Sequence, residues 1–171
     1  MSPDDILGWL APGNRIQLEE LIARLEIRTV VEIGSFLGLS AAWFGQRVER
    51  VTCVDIWGLI PQWGMGADFY ERFLANMEAV GVRDRIFPIR GDSHSAEIYD
   101  LVPEADLVYI DGDHRFEGCR LDIQMYGFKA RKVLCGDDYA PDHAELAGVA
   151  QAVDEILPHR RLNGQFWWIE K

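Results

Sequence analysis

Five short runs of consecutive apolar or β-branched residues punctuate the chain: Thr29–Ile33, Val51–Asp55, Arg85–Ile89, Asp106–Ile110 and Lys132–Cys135. Their apolar character is continuous rather than alternating, which suits strands of a parallel sheet covered on both faces. Between them the period lengthens to that of a helix. Leu18, Leu21, Ile22 and Leu25 keep one face, with Asn14 placed to cap it. Phe69, Phe73, Met77 and Val80 keep another, and Gly81 stands where a helix C-terminus favours glycine. Val149, Val153 and Ile156 mark a last helix, stopped by Pro158. The segment from Arg160 to Ile169 reads as a hairpin turning at Asn163-Gly164. Strands alternating with helices and closed by a hairpin predict an α/β fold: a doubly wound, mostly parallel sheet with an antiparallel C-terminal hairpin.

Length narrows the organisation to one domain of 171 residues, with a helical segment over 1–28 and the core over 29–171. There are 17 basic and 28 acidic residues, a formal charge of −11. That sign excludes a general binder of nucleic acid or of anionic membranes and suits a cationic ligand or a divalent metal. No apolar run approaches the roughly 20 residues of a membrane span. The start, Met-Ser-Pro-Asp-Asp, lacks the features of a secretory signal. Cys53, Cys119 and Cys135 are odd in number and have no paired spacing, so they read as reduced, buried thiols of a cytoplasmic protein.

In open α/β sheets, ligands gather at the carboxyl ends of the strands. The first strand ends in Glu32-Ile33-Gly34-Ser35-Phe36-Leu37-Gly38-Leu39-Ser40. Gly34 permits a tight turn; Gly38 permits close packing or close approach of a ligand. Phe36 stands where a dinucleotide fingerprint needs its middle glycine. Asp55 follows Gly34 by 21 residues, at the end of the second strand, where an acid can accept from both ribose hydroxyls of a nucleoside. Asp92 and Ser93 close the third strand; Asp92 can accept from an adenine amino group, and Ser93 can touch the ring or cap a helix. The fourth strand ends Asp111-Gly112-Asp113-His114, and the fifth ends Gly136-Asp137-Asp138-Tyr139. Four carboxylates and an imidazole at two strand ends repel one another unless something positive lies among them. Such oxygen donors suit Mg²⁺ or a similar hard ion; the competing reading is a set of exposed turn residues.

Taken in order, these motifs resemble the class I S-adenosylmethionine-dependent methyltransferases. The resemblance is greatest to the metal-dependent small-molecule O-methyltransferases of the catechol, caffeoyl-CoA and antibiotic-sugar types, and it runs from about Thr29 to Lys171. It implies a seven-stranded sheet. It also implies that Glu32, Gly34, Ser35, Gly38 and Ser40 frame the methionine part of the cofactor. Asp55 would then bind the ribose, Asp92 and Ser93 the adenine, with Trp57 and Asp111 beside the cofactor. Asp111, Asp137 and Asp138 match the metal ligands. His114, three residues after the first of these, matches the catalytic base, and Asp113 is a second candidate. Asp137-Asp138 is closer to the antibiotic-sugar type than to the Asp-Asn pair of the catechol type.

The chemistry this implies is in-line transfer of a methyl group from a sulfonium to the oxygen of a small hydroxylated acceptor. A divalent ion lowers the hydroxyl pKa, and an imidazole with an ordinary pKa of about 6.5 takes the proton at neutral pH. Trp57 and Trp63, within the glycine- and tryptophan-rich stretch Ile56–Gly66, and Tyr139 after the fifth strand are candidate walls. Trp167 and Trp168 alternate along a strand, so one of them is expected to face outward and to suggest a homo-oligomer. Two other readings stay open. One is a cofactor-binding partner subunit without chemistry. The other is a nucleotide-sugar transferase, in which Asp111-Gly112-Asp113 serves as Asp-x-Asp.

Overall fold

A computed structural model describes residues 1–58 and 69–171. The elements run α1 (Pro12–Arg24), β1 (Thr29–Ile33), α2 (Leu39–Gly45), β2 (Arg50–Asp55), α3 (Tyr70–Val80), β3 (Ile86–Arg90), α4 (Ala96–Leu101) and β4 (Ala105–Ile110). They continue with α5 (Phe116–Tyr126), β5 (Ala130–Gly136), α6 (Ala147–Ile156), β6 (Arg161–Asn163) and β7 (Phe166–Glu170). The seven strands order as β3-β2-β1-β4-β5-β7-β6. β1 to β5 pair in parallel, and β7 lies antiparallel between β5 and β6. The order reverses at β1, whose neighbours are β2 and β4, so the ends of these strands frame a crevice.

Each strand divides its side chains between two apolar layers. Val30, Cys53, Leu107, Tyr109 and Cys135 pack with Leu18, Phe44, Phe73 and Met77 from α1, α2 and α3. Val31, Ile33, Val108 and Leu134 pack with Ile123 and Val153 from α5 and α6. Burial on both faces explains the unbroken apolar runs in the sequence. All three cysteines are free and buried. Among the described residues no helix is long and apolar enough to cross a membrane.

Three local expectations need correction. Asn14 does not cap α1: Ala11 holds that position, Pro12 opens the helix, and Asn14 lies buried within its first turn. The hairpin turns at Gly164-Gln165, because Asn163 already pairs with Phe166. Gly164 takes φ +62°, the conformation a two-residue turn asks of its first residue. Neither Trp167 nor Trp168 faces outward: the first joins the α5–α6 layer and the second the α1–α3 layer. Because β7 is an interior strand covered on both sides, the outward tryptophan that pointed to an oligomer is absent.

Candidate active site

The β1–α2 loop is built on strained backbone. Gly34 and Gly38 have φ near +90°, and Phe36 and Trp57 also take positive φ, a region costly for bulky side chains. Asp55 holds this geometry in place. Its Oδ2 accepts from the backbone N–H groups of Ser35 (2.9 Å) and Phe36 (2.8 Å), and its Oδ1 accepts from Trp57 N–H (2.8 Å). The Trp57 indole donates to the Phe36 carbonyl at 2.7 Å. Asp55 therefore shapes the loop, and it remains half-buried at the crevice.

The two glycines serve packing. A Cβ on Gly38 would overlap Phe73 and Met77 of α3, and one on Gly34 would overlap the Asp111 carbonyl. Glu32 and Ser35 are buried beneath the loop, where Ser35 Oγ donates to Glu32 Oε2 at 2.5 Å. Burial pushes the Glu32 carboxyl up to about 7, against the Ser35 hydroxyl. Ser40 is buried inside α2. Trp57 departs from its expected place as a cofactor contact: it is 1% exposed and packs on Tyr70 and Phe73, a core position. Trp63 lies outside the described residues. Tyr139 donates its hydroxyl to Asp154 and packs against the α5–α6 layer.

At the ends of β4 and β5, ligand atoms of Asp111, His114 and Asp138 lie within 4.8 Å of one another. His114 Nε2 stands 3.0 Å from Asp138 Oδ2 and 3.9 Å from Asp111 Oδ1. Asp138 has φ +64°, which an aspartate tolerates and which brings its carboxylate to the cluster. Burial pushes Asp111 up to about 8, with Asp137 and Asp138 adding repulsion. The carboxylates of Asp111 and Asp138 beside the ring raise His114 to about 10.

The convergent trio differs from the expected one. Asp137 is not in it: its Oδ2 accepts from Asn14 Nδ2 at 2.5 Å and its Oδ1 from Asp138 N–H at 2.8 Å. His114 takes its place. Asp113, the rival base, is tied to Arg115, with Nη2 at 2.5 Å and Nε and the backbone N–H also donating to it. The Arg115 guanidinium holds the Asp113 carboxyl below its ordinary value. Asp111 and Asp113 therefore do not converge as an Asp-x-Asp pair.

Asp113 instead lines a cleft of about 480 Å³ with His94, Phe116, Gly118 and Leu121. Asp92 is largely exposed, and its Oδ1 accepts from His94 N–H at 2.9 Å. The Ser93 carbonyl accepts from Tyr126 Oη at 2.7 Å. His94 escapes a reading of the sequence, although it follows Ser93 directly; Asn14 is read there only as a cap, because its partner lies 123 residues away.

Residues 31–138 match the sequence profile of a family described as a methyltransferase domain. The chain belongs to that family. It has the fold of the class I S-adenosylmethionine-dependent methyltransferases and is an enzyme of that class. The structure is similar to the cofactor-bound protein Rv0187 from MTB, at 19% identity and TM-score 0.72, covering 97% of this chain and 84% of that one. It is similar to an O-methyltransferase from Bacillus cereus solved in complex with SAH, at 14% identity and TM-score 0.69, covering 96% and 84%. It also resembles CalS11, a TDP-rhamnose 3'-O-methyltransferase of calicheamicin biosynthesis, at 15% identity and TM-score 0.60, covering 94% and 81%. A comparison with curated proteins finds no match.

Proposed function

We propose that this methyltransferase transfers the methyl group of S-adenosylmethionine to a hydroxyl of a small acceptor, with a divalent cation, Mg²⁺ by its donor set, held at the ends of β4 and β5. The observation that carries this reading is the convergence of the Asp111 and Asp138 carboxylates, which would supply the oxygen donors, with His114 beside them and the β1–α2 loop. Burial and the neighbouring Asp137 and Asp138 charges both disfavour the ionised form of Asp111, a penalty that a cation there would relieve. When bound, the cation would orient the acceptor oxygen and lower its pKa.

The chain's own residues supply the rest. Asp55 keeps the cofactor loop in its strained form and stays within reach of the crevice, where the ribose hydroxyls belong. Asp92, Ser93 and the cleft beside them accommodate the adenine. Asn14 fixes Asp137, which in turn holds the Asp138 backbone. With Asp111 and Asp138 engaged by such a cation, His114 would lose the pairing that favours its protonated form. Its Nε2 then accepts the proton of the acceptor hydroxyl as the methyl arrives in line.

The test is transfer of labelled methyl from S-adenosylmethionine to a panel of catechols and nucleotide-linked sugars, with Mg²⁺ or with chelator. Transfer to oxygen that chelator removes supports the reading. Transfer unchanged by chelator overturns the metal, and transfer to nitrogen acceptors alone overturns the O-methylation.

A further inference from the structure

Gly148 stands in the first turn of α6, ten positions after Asp138. A Cβ added there would lie 2.6 Å from the Phe116 backbone nitrogen, 2.7 Å from the His114 carbonyl oxygen and 3.1 Å from the Arg115 carbonyl carbon. Ordinary contact begins at about 3.5 Å, so a methyl group there needs the loop or the helix to give by about 1 Å. All three atoms are backbone, so no change of rotamer makes room. Glycine weakens a helix relative to alanine, but alanine cannot occupy this contact. Gly148 therefore lets α6 touch the main chain of the β4–α5 loop.

That loop carries His114, whose side chain is 44% exposed and faces Asp138 at 3.0 Å and Asp111 at 3.9 Å. With so much of the ring in the open, the backbone beneath it decides where Nε2 stands. Two supports fix that backbone. On one side, the Asp113 carboxylate accepts from the Arg115 N–H at 2.9 Å. On the other lies Gly148. The start of α6 is also joined to the far side of the cluster. Ala147 N–H donates at 2.8 Å to the carbonyl of His143, in the segment that leaves β5 through Asp138. The first turn of α6 thus spaces the His114 loop from the Asp138 loop.

We propose that Gly148 is a positioning residue for the reaction: by letting α6 touch the backbone of the β4–α5 loop, it sets the placement of His114 opposite Asp138. This rests on the reading of His114 as the base that takes the acceptor proton. Gly148 touches neither ligand and acts only through the loop. A base that is off by the width of that contact loses its line to the acceptor hydroxyl, whereas the cofactor loop at β1 is untouched.

The test is steady-state kinetics of Gly148→Ala with an acceptor that the wild type methylates. kcat should fall by about 10–100-fold, the scale of a displacement of about 1 Å, while calorimetric affinity for S-adenosylhomocysteine stays within about twofold. In a His114→Ala background the same substitution should lower kcat no further, because the group it displaces is gone. Val153→Ala opens a cavity on the same helix without adding bulk at the loop, and should leave kcat within about twofold. Crystals of Gly148→Ala should show the His114 ring moved by about 1 Å against Asp138, with the β1–α2 loop in place. An unmoved ring, a normal kcat in Gly148→Ala, an equal loss of kcat in both backgrounds, or loss of the fold in Gly148→Ala alone each overturns the proposal. Full turnover in His114→Ala overturns the base assignment on which it rests. Absence of transfer by the wild type overturns the methyltransferase reading instead.

Discussion

Asn14, in the first turn of α1, donates a 2.5 Å hydrogen bond to the carboxylate of Asp137, at the end of β5. The contact joins the N-terminal helix to the floor of the site, and Asn14 itself is 3% exposed. Removing its amide leaves a mostly enclosed carboxylate short of a donor. Asn14→Ala should lower folding stability by about 2 kcal/mol, the range for a hydrogen bond to a charged group. Urea unfolding of the two proteins measures this, and equal midpoints would show that the bond contributes nothing.

A cation that binds only the folded state stabilises it by mass action. At about a hundredfold excess over its dissociation constant, Mg²⁺ or Mn²⁺ should add roughly 2.7 kcal/mol. Thermal melts with ion and with chelator should therefore separate. Asp138→Asn should close most of that gap. Asn14→Ala should narrow it less, because Asn14 reaches the cluster only through Asp137.

If Nε2 of His114 takes the acceptor proton, His114→Ala should reduce kcat by about 10²–10⁴-fold while leaving cofactor affinity nearly unchanged. Asp113→Ala should have a much smaller effect on kcat, because that carboxylate is engaged by Arg115. Steady-state rates with a proven acceptor decide between them: a collapse in Asp113→Ala with a normal His114→Ala would transfer the role to the carboxylate.

Glu32 faces Tyr109 across the β1–β4 ladder, and Glu32 Oε1 and Tyr109 Oη are both buried without a partner. Burial lifts the Glu32 carboxyl from 4.5 to about 7 in the folded protein, so folding favours its protonated form. That contribution is complete below the unfolded value and is lost as pH rises through about 7. The loss amounts to about 3 kcal/mol by pH 8, at 1.36 kcal/mol per unit. Glu32→Gln should therefore gain on the wild type by this amount between about pH 5 and about pH 8. Asp111 titrates in the same direction in both proteins and cancels from the difference. Parallel pH profiles would show that Glu32 ionises freely.

The strands were legible because their runs of Val, Ile and Leu need no distant partner to be recognised. The strand-end acids were legible as well, since chain order alone puts Asp55, Asp111 and Asp138 at carboxyl ends. α5 was harder: its face carries Gly118, Asp122 and Tyr126 among the apolar residues, which blurs the helical period. Asn14 was misread because local grammar treats an asparagine before an apolar period as a cap, whereas its partner comes from β5. The two tryptophans of β7 were misread because alternation says which faces they take, not whether helices cover both. That His114 lies within the cluster, and that the Asp137 carboxylate is tied to Asn14 and the Asp138 N–H, depends on tertiary contacts that spacing does not reveal.

The close approach of Gly34 to Asp111 has a consequence for both strand ends. Gly34 N–H is spent on the Val54 carbonyl, Asp111 N–H on the Ile33 carbonyl, and the space a Cβ would need at Gly34 is filled by the Asp111 peptide. The wall between the β1–α2 loop and the acids that follow β4 is therefore a single layer of backbone. Neither loop can be re-angled here without displacing the other. A side chain at position 34 would therefore disturb both strand ends at once, not the β1–α2 loop alone.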